Sequence, residues 1–276
     1  MSLLDNEEEL LDDSIAINWF NKHFVFDRNS KYKEVQLADD GLEIKGDVYV
    51  KSYVKEIECP IKRIYGNFDL SNSSITTLKN CPEEVYGDFM ISGTWNLKSF
   101  EYSPRIVTGN YRCNDTKIEN FKGITQHVGS LKCTTSYICC MEGCPAQIDG
   151  DLDMSNNINL VSLEGCPPNI GGSIILDNCN KLTSLKGLPE IIKGNLSFRG
   201  CFNLKTLNPV KEVKGYIDYT ECSRLTYTYD LKPASLPIVS RDISQRVHMS
   251  AIASKIYNQI ESAGLDVEHA KNYFRQ

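Results

Sequence analysis

The sequence predicts a solenoid of the α/β repeat class, with about nine coils and a helical cap at each end. The first observation behind this prediction is a glycine that recurs every 20–22 residues. The second is a pair of apolar columns at fixed distances after that glycine, and the third is the confinement of this period to residues 44–226. The recurring glycines are Gly46, Gly66, Gly87, Gly109, Gly129, Gly150, Gly172, Gly194 and Gly215.

Two and four residues after each glycine the side chain is apolar, aromatic or a cysteine. Such alternation is typical of a short strand with one buried face. We therefore predict short parallel strands on one side of the solenoid and irregular turns on the other. The two columns are Val48, Phe68, Phe89, Tyr111, Leu131, Leu152, Ile174, Leu196 and Ile217, then Val50, Leu70, Ile91, Cys113, Cys133, Met154, Leu176, Phe198 and Tyr219.

A second apolar pair follows the strand in most coils, and a proline often precedes the next glycine. Proline has a fixed φ and no backbone donor, so it suits the turn that returns the chain to the next strand. The pairs begin with Ile75 and Leu78 and end with Leu204 and Leu207. This second pair predicts a core that is buried only by stacking of neighbouring coils.

The stretch Pro145–Leu163, PAQIDGDLDMSNNINLVSL, resembles the leucine-rich repeat, whose core is L-x-L-x-x-N/C-x-L. The N/C position falls seven residues after each glycine, at Asn157, Cys179, Cys201 and Cys222, with Ser or Thr in earlier coils. The resemblance implies a right-handed leucine-rich-repeat solenoid of the short bacterial type. The phrases SLEGCP and SLKGLP resemble leucine-rich proteins encoded by bacteriophages.

Three regions are predicted: an acidic helical N-terminal cap over 1–43, the solenoid over 44–226, and a linker with a helical C-terminal cap over 227–276. The N-terminal helix is expected over 3–25, and the C-terminal helix over about 240–263. The apolar face of the first helix is predicted from Leu10, Leu11, Ile15, Ile17, Trp19, Phe20 and Phe24.

Composition and charge narrow the classes of function. The net charge is −6, and residues 1–43 hold 11 acids against 4 bases, so nucleic acid is not an expected partner. The chain has no long apolar run and starts with acidic residues, which predicts a cytoplasmic protein without a membrane partner. An odd count of 11 cysteines predicts reduced thiols.

The cysteines are predicted to be structural, with no metal and no cofactor. Cys139, Cys140 and Cys144 are close in sequence, but there is no CxxC motif and no histidine at ligand spacing. The four histidines are scattered and no phosphate-binding loop is present. We therefore predict no catalytic residues and no enzymatic activity.

The candidate binding surface is the outward face of the strands, three and five residues after each glycine. Mixed charges with scattered apolar side chains fit a protein interface better than a phosphate-binding track. Residues 133–180 hold six acids and no Lys or Arg, whereas 181–216 hold seven bases and two acids, which predicts a dipolar surface. The predicted binding residues are Tyr49, Met90, Arg112, Lys132, Asp153, Ile175, Asp177 and Arg199.

The family resemblance implies a non-catalytic protein-binding protein, and its bacteriophage phrasing implies a host or defence protein as the partner, engaged or inhibited inside an infected bacterium. Two alternatives remain open at this stage. The acidic N-terminal segment could make the protein a nucleic-acid mimic or nuclease inhibitor. The protein could instead be a structural or assembly component that forms a homo-oligomer.

Overall fold

The computed structural model describes residues 13–225, which form a parallel β-solenoid of about eight turns with a period of about 21 residues. Its main sheet has nine parallel strands, one for each glycine, and one antiparallel strand at its N-terminal edge. The strands of the main sheet are Phe24–Phe26, Val48–Val50, Phe68–Asp69, Phe89–Met90, Tyr111–Arg112, Leu131–Lys132, Leu152–Asp153, Ile174–Ile175, Leu196–Ser197 and Ile217–Asp218.

A second set of short parallel strands precedes the glycines, so the prediction of irregular turns outside one sheet is wrong. The chain forms a five-stranded, a three-stranded and a two-stranded sheet here. The parallel strands are Gly41–Lys45, Ile61–Tyr65, Glu84–Val85, Ile106–Val107, His127–Val128, Gln147–Ile148, Asn169–Ile170, Ile191–Ile192 and Glu212–Val213. A further strand, Glu34–Ala38, pairs antiparallel with Gly41–Lys45 at the N-terminal edge. The physical reason is a column of β-branched side chains just before each glycine, from Ile44 to Val213, because such side chains favour extended backbone.

Helix is scarce in the described residues, so this range confirms the predicted solenoid but does not show the helical part of the predicted α/β class. The one helix in this range is Asp13–His23, and residues 24–26 form a strand where the expected helix over 3–25 was to end; residues 3–12 of that expectation lie outside the described residues. Phe20 packs against the core and its ring lies 4.8 Å from that of Phe24, but Ile15 is exposed, contrary to the predicted apolar face. Within 13–225 no helix is long and apolar enough to cross a membrane. The expected helix over 240–263 lies outside the described residues.

The predicted apolar columns form one continuous core along the solenoid axis. All nine side chains two residues after a glycine are buried, and so are those four residues after, except for the partly buried Tyr219. The second apolar pair of each coil is buried as well, from Ile75 and Leu78 to Leu204 and Leu207. The aromatic side chains of Phe68, Phe89 and Tyr111 contact one another along the stack. The columns read from the sequence are therefore confirmed as the core.

The recurring glycines stack directly on one another at the corner between the two strands of each coil. The N–H of Gly109 donates to the carbonyl of Gly87 at 2.9 Å, and the N–H of Gly129 donates to Gly109 at 2.7 Å. A Cβ atom at Gly109 would lie 2.6 Å from the carbonyl carbon of Gly87, far inside van der Waals contact. Glycine is required here because two backbones approach too closely for a side chain.

The residue after each glycine extends this corner contact with its side chain. The Oδ1 atom of Asp47 accepts the N–H of Asn67 at 2.6 Å, and Oδ1 of Asn67 accepts the N–H of Asp88 at 2.7 Å. The same pattern recurs down the stack, where Asp151 accepts the N–H of Ser173 at 2.6 Å. A side-chain acceptor is needed because this N–H has no carbonyl partner in the ladder.

We expect Gly109→Ala to destabilise the fold by about 1–3 kcal/mol, because the new methyl group would force neighbouring coils apart. Urea unfolding followed by circular dichroism measures the change. Thr108→Ala is the matched control, since Thr108 is exposed and immediately precedes the glycine. Equal stability of the two variants would contradict the proposed role of the glycine corner.

Candidate functional site

The eight predicted binding residues lie on one continuous surface, the outward face of the main sheet, here called the main face. Tyr49, Asp69 and Met90 are direct neighbours in register across three strands. The register continues through Arg112, Lys132, Asp153, Ile175, Ser197 and Asp218. Adjacent strands lie about 4.8 Å apart, so side chains of successive coils can contact one another.

Charged side chains on the main face pair mainly with each other. Nη2 of Arg112 lies 3.1 Å from Oδ2 of Asp88, and Nζ of Lys132 lies 3.4 Å from Oδ2 of Asp153. Nη2 of Arg199 lies 3.7 Å from Oδ2 of Asp177. The face therefore presents paired charges, and its net field is weaker than the count of charged residues suggests.

Two of the predicted carboxylates also hold the local backbone. Oδ1 of Asp153 accepts the N–H of Ser155 at 3.1 Å and its hydroxyl at 2.6 Å. Oδ1 of Asp177 accepts the N–H of Arg199 at 3.0 Å and also the hydroxyl of Ser197. The side chains of Arg112 and Arg199 are about half exposed and do not hold a backbone group in this way. The arginines are therefore the better residues for testing contact with a partner.

The apolar members of the main face are spread out along it. Tyr49 is exposed in the first coil, whereas Met90 and Ile175 are half-buried in coils further along. Charged side chains stand between them in the register. The main face is thus a mosaic of charged and apolar side chains and contains no continuous apolar stripe.

Bases of the basic block, residues 181–216, pair with carboxylates of neighbouring coils, including carboxylates of the acidic block, residues 133–180. Lys186 pairs with Glu164 of the preceding coil at 2.7 Å, and Arg199 pairs with Asp177 in the same way. Within the basic block, Lys211 pairs with Glu190 at 2.8 Å. Bases of one coil therefore neutralise acids of its neighbour, which reduces the predicted dipole.

The N/C column forms a buried line of hydrogen-bond donors behind the main sheet. Nδ2 of Asn157 donates to the carbonyl of Cys133 at 2.6 Å and to that of Met154 at 2.8 Å. The thiols of Cys179 and Cys201 donate to carbonyls of the preceding coil at 3.3 and 3.2 Å. These cysteines serve the backbone as the asparagine does, by donating to turn carbonyls of the neighbouring coil.

Most thiols are buried and held in the protonated form. Burial raises the pKa of Cys179, Cys201 and Cys222 to about 12. Cys139 and Cys140 are half-exposed neighbours, and desolvation followed by the adjacent Cys140 raises the pKa of Cys139. Within residues 13–225 no three His, Cys, Asp or Glu side chains are grouped to hold a metal ion.

The histidines of the described region are far apart and engaged locally. Nδ1 of His23 lies 2.7 Å from the carbonyl oxygen of Trp19, one helical turn earlier. Nε2 of His127 lies 2.8 Å from Oδ2 of the exposed Asp149, on the second set of strands. The pKa of Asp149 is lowered by the hydrogen bond from Gln147 and then by His127. His248 and His269 lie outside the described residues.

Sequence reasoning missed one surface, here called the turn edge, formed by the residues eight positions after each glycine from Gly66 onwards; the equivalent Val54 of the first coil is buried. The N–H groups of Trp95, Ile158 and Phe202 donate to the carbonyl two residues earlier, at 3.0–3.1 Å, so the turn is the same in their coils. The available signal was the recurrence of large apolar residues at this position. The turn edge comprises Ser74, Trp95, Lys117, Tyr137, Ile158, Asn180, Phe202 and Ser223.

Comparison of the chain with known protein families, characterised proteins and solved structures found no match. The sheet topology itself defines the protein as a parallel β-solenoid whose main face mixes charged and apolar side chains.

We expect a thiol reagent such as Ellman's reagent to react rapidly with Cys139 and Cys140 of the folded protein and slowly with the other cysteines. Eight of the remaining thiols are buried and out of contact with the reagent, and desolvation raises the pKa of the half-buried Cys166 to about 12, which keeps it protonated. The absorbance of the released thiolate at neutral pH counts the fast-reacting thiols in the folded protein and all thiols in denaturant. The double variant Cys139→Ser/Cys140→Ser should lose the fast phase, and a fast phase retained in this variant would contradict the assignment.

Stability should fall as the pH rises from about 9 towards 12. The thiols of Cys179, Cys201 and Cys222 have pKa values of about 12 when folded and near 9 when unfolded, so the folded state holds their protons more tightly. Their contribution is complete below pH 9, and each loses about 1 kcal/mol by pH 10. Urea midpoints at pH 7.5 and 10 measure this loss.

The matched variant replaces these three cysteines with asparagine, the residue that Asn157 supplies in the same column. Its stability should change less between the two pH values, because asparagine does not ionise. An equal alkaline loss in both proteins would show that other groups cause it.

Proposed function

We propose that the protein is a non-catalytic binding protein that engages another protein through the main face. The observation that carries this proposal is that the inward positions of the main sheet are constant in character, whereas the outward positions vary. Inward positions are apolar in nearly every coil, whereas the outward positions change from tyrosine to methionine, arginine, lysine and aspartate along the register. A face that varies while its support stays constant is suited to recognising one partner by shape and side-chain detail.

The mosaic of this face favours a protein as the partner over a nucleic acid. Its cations Arg112, Lys132 and Arg199 stand beside carboxylates, so they offer no free positive track for phosphates. Tyrosine and arginine are enriched at protein interfaces, and both occur here in exposed positions. A polar rim and scattered apolar anchors match this kind of contact.

We assign the chain to the leucine-rich-repeat class as part of the same proposal. Support comes from the short period, the strand that follows each glycine, and the N/C column whose amide and thiol groups donate to turn carbonyls. The resemblance to bacteriophage sequences gives the partner as a host or defence protein of an infected bacterium, inhibited or redirected by the contact.

The hydrogen bonds and protonation of the cysteine thiols, and the surroundings of His127, support the non-catalytic part of this proposal. The thiols of Cys179, Cys201 and Cys222 donate to backbone carbonyls, and their raised pKa values keep them from acting as nucleophiles. His127 is exposed and faces Asp149 with no nucleophilic side chain in contact. These groups serve the fold and its surface.

We expect the double variant Arg112→Glu/Arg199→Glu to weaken capture of the partner at least about tenfold, because close charge pairs at an interface contribute more than 1 kcal/mol. The immobilised protein is exposed to bacterial lysate, captured proteins are identified by mass spectrometry, and the affinity is then measured with the purified partner. Both arginines are about half exposed and their pairs with Asp88 and Asp177 lie at the surface, so the thermal transition should move only slightly.

The matched control is Lys122→Glu/Lys186→Glu, which reverses two exposed lysines away from the main face. This control should capture the partner as the parent protein does. Unchanged affinity in the arginine variant, or equal loss in the lysine variant, would reject the main face as the binding surface.

A further inference from the structure

The turn edge is an exposed row of large apolar side chains that the core does not use. Trp95, Tyr137, Ile158 and Phe202 are exposed by 49%, 47%, 58% and 46%. They stand at equivalent positions in the third, fifth, sixth and eighth coils, so they follow the solenoid axis over about 24 Å. Within residues 13–225 none of the three aromatic rings stacks on another ring.

Exposed aromatic side chains in a row differ from the single exposed apolar residues common on protein surfaces. Trp and Tyr are the residues that most often dominate the energy of a protein interface. The turns that carry Trp95, Ile158 and Phe202 are held by the same backbone hydrogen bond, and the N–H of Tyr137 donates to the carbonyl of Thr116 in the preceding coil at 3.2 Å, so the backbone of the row is held in place before any partner arrives. A rigid row loses little conformational entropy on binding.

Three cations beside this row, Lys117, Lys181 and Arg224, contact neutral groups. Nζ of Lys117 lies over the ring of Trp95, 5.9 Å from its centroid. Lys181 and Arg224 donate to the amide oxygens of Asn159 and Asn203 at 2.9 Å. The segments from six to eleven residues after each glycine contain six bases, Lys55, Lys98, Lys117, Lys181, Lys205 and Arg224, against four acids, Glu56, Asp115, Glu119 and Glu221.

Lysines further along the same coils behave differently. Lys122 pairs with Glu142 at 2.9 Å, Lys186 with Glu164 at 2.7 Å and Lys211 with Glu190 at 2.8 Å. Lys117, Lys181 and Arg224, beside the aromatic row, instead contact a ring or an amide oxygen. A cation held by an amide oxygen or a ring still favours an incoming carboxylate.

We propose that the turn edge is a docking site for an acidic polypeptide segment that carries apolar side chains. The apolar side chains of this segment pack on Trp95, Tyr137, Ile158 and Phe202, and its carboxylates pair with Lys117, Lys181 and Arg224. The site is separate from the main face, so this proposal does not depend on the function proposed above.

The experiment uses the full chain and a defined probe. A row of about 24 Å accommodates about eight residues of extended peptide, so the probe is a fluorescein-labelled peptide of that length with alternating Glu and Leu. Fluorescence anisotropy gives its Kd. Two counter-probes have the same length, one with Lys in place of Glu and one with Ser in place of Leu, and a labelled oligothymidine tests single-stranded nucleic acid.

The acidic apolar peptide should bind, and its affinity should fall with added salt because ion pairs contribute. Trp95→Ala and Phe202→Ala should each weaken binding about tenfold. Both side chains are half exposed, so the thermal transition should not move. Tyr102→Ala is the matched control, since Tyr102 is exposed by 57% but lies outside the turn edge, and it should bind as the parent protein does.

Several results would overturn the docking site. They are no binding at millimolar peptide, equal or tighter binding of the lysine peptide or of oligothymidine, or full affinity in both Trp95→Ala and Phe202→Ala. The variant Arg112→Glu/Arg199→Glu separates the two proposals, because it alters the main face alone and should keep peptide affinity. Loss of peptide binding in that variant would place the probe on the main face and reject the turn edge.

Discussion

The close contact of backbones at the glycine corner sets the geometry on which the rest of the solenoid depends. From Gly109 onwards each corner glycine N–H donates to the glycine carbonyl of the preceding coil, and along the corner the neighbouring Asp, Asn or Ser accepts the next N–H. This contact leaves no room for a Cβ atom. It fixes the spacing and the rotation of every coil relative to the last, so apolar columns meet apolar columns and the outward columns stay in register.

Because the corner and the core hold the coils together, the outer surfaces can vary without loss of the fold. The two outer surfaces differ in how many of their charged side chains pair with an opposite charge. On the main face, Arg112, Lys132 and Arg199 already pair with carboxylates, whereas the turn edge combines exposed rings with cations that face neutral groups. The main face presents a specific pattern of paired charges. The turn edge presents exposed apolar side chains and cations that can still bind a partner.

The buried column seven residues after each glycine shows how different residues can perform one task. Short hydroxyl side chains such as Thr94 reach the carbonyl of their own coil, at 2.7 Å, whereas Cys179 reaches the preceding coil. Asn157 has two donor hydrogens and reaches both. The raised pKa values of the cysteines follow from this position, since burial that suits a neutral donor disfavours a thiolate.

The sequence by itself determined the period, the strand after each glycine, the buried columns and the alignment of the predicted binding residues, because these follow from periodicity and local sterics. It also contained the second set of strands, in the β-branched column from Ile44 to Val213, although two-residue strands are too short to recognise by alternation. Only the tertiary structure decided which charges pair, which carboxylates hold turns and which apolar side chains stay exposed at the turn edge. Those outcomes depend on distances between coils, and contacts between residues some 20 positions apart are set by stacking and not by local sequence.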